Sequence, residues 1–143
     1  MTDTASLAAH LGGTKKQRWM KKALEDIMQV QASQPPAVQQ IYGGLCHRFP
    51  VMVLQCGLSQ AVAFMEDKLS HSGPRGDAYK LMRSHVAELL GSRPERLAHH
   101  VADLRIVAYM HATMTLVDAA VFYKRFAVSI LKVESAEADS DAE

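Results

Sequence analysis

Apolar residues in this chain recur at steps of three and four, and no stretch shows the alternating, β-branched-rich pattern of a strand. That period restricts the chain to packed helices. Over about residues 15–32, Met20, Ala23, Leu24, Ile27, Met28 and Val30 fall on one side of a helix. Lys15, Arg18, Lys22, Glu25 and Gln29 fall on the other. Thr14 is placed to cap this helix, after a short polar leader (residues 1–13, expected to be mobile) that ends in Gly12-Gly13. Pro35-Pro36 stops it and opens a second helix, about residues 37–47. Pro50 suits the first turn of a third, about residues 50–70, because its missing N–H needs no partner there. Val51, Leu54, Leu58, Ala61, Val62, Met65 and Leu69 share one side of that third helix. Gly57 within it costs roughly 1 kcal/mol against Ala, which predicts a closely approaching neighbour.

Residues 70–76 read as a loop by their Ser, Gly and Pro content, and Gly91 can close a fourth helix over about residues 77–90. Pro94 opens a short fifth near residues 93–100. A last helix spans about residues 102–132, with a break near Asp103. On it Ile106, Met110, Met114, Val117, Val121 and Val128 are expected in the core. His111, Thr115, Asp118, Phe122, Arg125, Ser129 and Lys132 form an outer stripe. The fold class is all-α: one domain, residues 14–133, folded as a compact bundle of five or six helices.

Several function classes are set aside at this level. No stretch approaches the roughly 20 uncharged apolar residues of a membrane span; the most apolar, residues 106–131, is interrupted by His111, Asp118, Lys124 and Arg125. The first 13 residues lack a secretory pattern. The two cysteines, Cys46 and Cys56, make no disulfide framework, so a reduced cytoplasmic setting is expected. Neither Cys46-His47 with Cys56 nor the adjacent His99-His100 has metal-ligand spacing. Glu66 and Asp67 diverge on a helix, and no nucleophile elbow, phosphate-binding glycine loop or His-Glu-x-x-His motif occurs. No enzyme activity, metal, cofactor or small-molecule substrate is expected.

Charge is unevenly placed. Residues 134–143, expected to be a disordered tail, carry five acids and no base. With those five removed from the 15 acids of the whole chain, the body keeps 16 basic and 10 acidic residues, a formal charge of +6. Lys15, Lys16, Arg18, Lys21 and Lys22 crowd the start of the first helix, against the macrodipole and against each other, with Glu25 and Asp26 arriving only afterwards. Each penalty is a few tenths of a kcal/mol, so the cluster is either a phosphate-contacting surface or a solvated face. Lys124 and Arg125 differ, because flanking Phe122, Tyr123 and Phe126 would hold their stems for an ordered phosphate or acidic contact.

Two motifs resemble a known family. Tyr42, Phe49-Pro50 and Gly57-Leu58-x-Gln60-Ala61-x-Ala63-Phe64 are similar to the central signature of the small subunit of the type III-B (Cmr) CRISPR effector complex. Tyr109-Met110-x-x-Thr113 and Tyr123-Lys124-Arg125-Phe126-Ala127 resemble its closing signature. The chain departs in having Phe122 where the family more often has Trp, Phe49 where Leu is commoner, and an acidic tail. The resemblance implies an architectural role. Such subunits stack in several copies, beside the other effector subunits that hold guide RNA, and meet guide and target RNA through positive surfaces without cleaving them. It transfers Lys124 and Arg125 as the motif cations, while a role for residues 15–22 rests on charge alone. The competing expectation is a free-standing helical interaction module or small regulator without RNA; a helix-turn-helix over residues 37–64 fits poorly, being too apolar to face a groove.

Overall fold

A computed structural model of the chain describes residues 13–136; most of the leader and the last seven residues of the acidic tail lie outside the described residues. Those described form six α-helices and no strand: α1 (Lys15–Ser33), α2 (Pro36–Cys56), α3 (Leu58–Lys68), α4 (Pro74–Leu90), α5 (Leu97–Asp103) and α6 (Ile106–Ser129). A single 3₁₀ turn, Pro94–Arg96, precedes α5. The expected all-α bundle is what forms. α2 sits at its centre, packed on α3, α4 and α6, while α1 lies along α6 and the short α5 closes over α3. Tyr42, Tyr79, Ile27, Ile41, Leu58, Met65 and Leu97 are the largest side chains withdrawn from water.

Local rules place most helix ends. Thr14 Oγ1 accepts from Gln17 N–H at 3.1 Å while Thr14 N–H donates to Gln17 Oε1 at 2.8 Å, a reciprocal box that satisfies two otherwise orphan donors. Gly91 closes α4 in the left-handed region, at φ 73°.

Two expectations fail for tertiary reasons. Pro50 does not open a helix: α2 runs through it to Cys56. An interior proline forfeits a hydrogen bond and costs ~3 kcal/mol. Here Leu45, Cys46, Phe49, Pro50 and Val53 are all buried, and their packing holds the helix across the defect. The interruption falls at Gly57, whose φ of 90° turns the chain between α2 and α3. Val51 and Leu54, expected on the same helix side as Leu58 and Met65, part from them across the break and are 43% and 67% exposed.

The inner face of α6 also differs from the expectation. Ile106, Met110, Met114, Val121 and Val128 face solvent, at 72%, 60%, 61%, 47% and 39% exposure, and Val117 is half-buried. Ala112, Leu116, Ala119, Tyr123 and Ala127 are buried instead. Beside the polar stripe of His111, Asp118 and Arg125, which stays outside as expected, this helix offers two apolar sides, and periodicity alone does not choose between them. The alanine-rich side is chosen because it lets the α6 backbone approach α1 and α2 closely. By length and hydropathy α6 could cross a membrane, yet its inner face packs on three other helices. It also ends earlier than expected. After Ser129 the chain turns back, with Lys132 at φ 62°, and seats Val133 on Gly43 of α2. A Cβ at Gly43 would lie 2.5 Å from Val133 Cγ2, so only glycine leaves room for this strap.

Candidate nucleic-acid interface

The motif residues divide into those that build the fold and those left on its surface. Tyr123 is buried, and its hydroxyl donates to Asp26 Oδ2 at 2.5 Å, tying α6 to α1. Asp26 also accepts from Lys22 Nζ at 2.6 Å and faces His85 Nε2 at 3.8 Å; Lys22 reaches on to Glu88 Oε2 at 2.5 Å. Tyr42 O–H lies 2.6 Å from His85 Nδ1. Four helices therefore meet at one polar knot. Burial depresses the His85 pKa below that of a free imidazole, with the Asp26 carboxylate opposing the shift. Burial likewise pushes the Tyr42 and Tyr123 phenols well above their usual range.

The glycine-containing central motif is also architectural. Gly57 caps α3 without a side chain, and Tyr109 supplies the missing acceptor from α6. Its hydroxyl oxygen accepts from Ser59 N–H at 2.9 Å and from Ser59 Oγ at 3.1 Å, which lowers the phenol's pKa. Phe64 is half-buried, with the Arg48 and Lys68 cations 5.0 and 5.1 Å from its ring centre. Sequence spacing could not reveal that Tyr109 and Ser59, fifty residues apart, form one cap.

The cations expected to touch phosphate fall in two places. Lys124 and Arg125 line a hollow of about 300 Å³ with His47, Val121 and Val128. Lys124 is half-buried and Arg125 exposed; Val121 and Val128 line the hollow beside them in place of the aromatic neighbours expected to hold their stems, and Tyr123 is buried in the core. Lys15 and Arg18 line a second hollow of about 470 Å³ with Trp19, His111, Thr115 and Asp118. Lys16 and Lys21 are exposed on α1. Lys22 stands apart from all of these: expected on the outer face, it is half-buried and bound to Asp26 and Glu88. Asp118 and Arg125 are seven residues apart on α6, a rise of about 10 Å, so the two hollows lie along one helix but do not merge. Sequence reasoning misses Trp19 because its neighbours on α6 lie almost a hundred residues away.

The described residues thus define a small all-helical module that leaves one apolar helix face uncovered, with cations at its margins. The chain belongs to the family described as CRISPR-associated protein (Cas_Cmr5), which it matches over residues 15–130. It is 29% identical over 120 residues to the CRISPR system Cmr subunit Cmr5 of Thermus thermophilus, across 83% of this chain and 97% of that protein. It also resembles the crystal structure of a CRISPR-associated Cmr5 family protein from the same organism, with a TM-score of 0.69 and 30% identity over 82% of this chain and 98% of the other. The resemblance carried by the sequence motifs and these comparisons agree on the family.

Proposed function

We propose that the chain is a non-catalytic small subunit of a type III-B CRISPR effector ribonucleoprotein, acting in the cytoplasm in antiviral defence. In this reading several copies stack beside the other Cmr subunits, along guide and target RNA. The observation that carries it is the uncovered face of α6. Val107, Met110 and Met114 are 76%, 60% and 61% exposed, and Val121 and Val128 continue the line toward Lys124 and Arg125. A contiguous apolar stripe of this kind marks an interaction surface, since soluble monomers rarely leave one in water. Family membership supplies the assembly such a stripe would join.

RNA contact in this reading is to phosphate, with base pairing between guide and target supplying sequence selection. Lys124 and Arg125 are its leading contacts, with Lys15, Lys16, Arg18 and Lys21 a second group. Lys22 contributes least, because two carboxylates already hold it. Native mass spectrometry of the tagged protein recovered from its host, before and after ribonuclease, tests the proposal. A large particle with several copies, larger subunits and a short RNA supports it. A lone monomer or dimer, unchanged by ribonuclease where guide complexes survive, returns the chain to a free-standing interaction module.

A further inference from the structure

The hollow between α1 and α6 joins chemistries that a phosphate alone would not require. Lys15 and Arg18 supply cations, and Trp19, the chain's single tryptophan, supplies an aromatic surface. The facing wall carries His111, Met114, Thr115 and Asp118 of α6, and α4 adds Leu89. Lys15 and Trp19 are one helical turn apart, as are His111 and Thr115, so each helix turns one face toward the same space. The two helices run parallel: Trp19 meets the start of α6 here, and Gln31 Nε2 donates to Ile130 O at the far end. Arg18 spends one donor on Gly13 O at 3.1 Å, which steadies its guanidinium while leaving other donors. The volume, about 470 Å³, lies in the range of small-ligand sites.

We propose that this hollow takes one unpaired nucleobase of single-stranded RNA, stacked on Trp19, with the adjoining phosphates on Lys15 and Arg18. The inference rests on the RNA-contact reading above and adds to it a base site on a surface expected to touch phosphate only. Asp118 favours a nucleotide over an acidic peptide. Its carboxylate repels a second carboxylate but accepts hydrogen bonds from the amino groups of a base. Stacking on tryptophan tolerates any base, and Asp118 adds a preference for bases with an exocyclic amino group over uracil.

Trp19 emission reports the contact directly, because no other tryptophan contributes. The full-length chain is titrated at low salt with a short oligoadenylate and, separately, with linear polyphosphate of similar charge. Quenching by the oligonucleotide with little by polyphosphate is expected. In parallel, anisotropy of the labelled oligonucleotide should show Trp19→Ala weakening binding about five- to 150-fold with the salt slope unchanged. Lys15→Ala/Arg18→Ala should lower that slope by about 1.4. Oligonucleotide binding that leaves Trp19 emission unchanged, or equal quenching by polyphosphate, overturns the base site while the phosphate-contact reading stands. No binding of either polyanion to the chain or to its assembly removes both. The wild-type comparison needs no variant to fold.

Discussion

Replacing Asp26 should expose how much the four-helix polar knot contributes. Its side chain is 13% exposed and accepts from Lys22 at 2.6 Å and from Tyr123 at 2.5 Å. Hydrogen bonds to a charged group contribute about 1.5–3 kcal/mol, and a buried hydroxyl left without an acceptor costs about 1–3 kcal/mol. Lys22 keeps Glu88 when Asp26 is gone, so its loss is partial. Asp26→Ala should therefore destabilise by about 3 kcal/mol, equivalent to a Tm drop of about 6–12 °C in a chain of this size. Urea unfolding followed by helical circular dichroism measures it, with Tyr123→Phe completing a double-mutant cycle. Tyr123→Phe alone should cost about 2 kcal/mol, but should recover about 1–3 kcal/mol in the Asp26→Ala background, where it removes a buried hydroxyl that has lost its acceptor. A cost below about 1 kcal/mol for Asp26→Ala, or additive effects of the two changes, would refute the knot as a stabilising unit.

At the α2–α3 junction, Gly57→Ala forces a side chain onto a φ of 90° and should cost about 1–3 kcal/mol. Tyr109→Phe removes the borrowed cap of α3 and should cost about 1 kcal/mol; thermal melts check both. Stability should also fall as pH drops below about 6.5, where the unfolded imidazole takes up a proton that folded His85, with its depressed pKa, resists. His85→Gln should flatten that part of the pH–stability curve, measured by urea titration between neutral and mildly acidic pH. Finally, Lys124→Ala/Arg125→Ala should lower the salt slope of single-stranded RNA binding by about 1.4, read by anisotropy across a salt series. Unchanged affinity at every salt would remove these two residues from the interface.

How far the sequence reached can be followed through particular residues. Helix content, the Thr14 cap and the Gly91 stop were legible, because capping and turn chemistry act over a few residues; the loop expected over residues 70–76 is shorter, since Pro74 already opens α4. The surface hollows were only half legible: Lys15, Arg18, Lys124 and Arg125 stand out as cations, but Trp19, His111 and Asp118 join them only through the parallel packing of α1 on α6. The motif that signals the family proved largely architectural. Tyr42, Phe49, Pro50 and Tyr123 are buried, and Gly57 and Tyr109 make a junction.

By itself, then, the amino-acid order determined an all-helical chain, most of its breaks and its family, all of which reside in local periodicity and short motifs. Only the tertiary structure decided that α2 continues through Pro50, that Lys22 is held by carboxylates, and that the alanine side of α6 turns inward. Each of those choices depends on what a neighbouring helix offers: packing across a backbone defect, a counter-charge, or room for close approach. An apolar helix presents several faces, and its neighbours select the one that is buried.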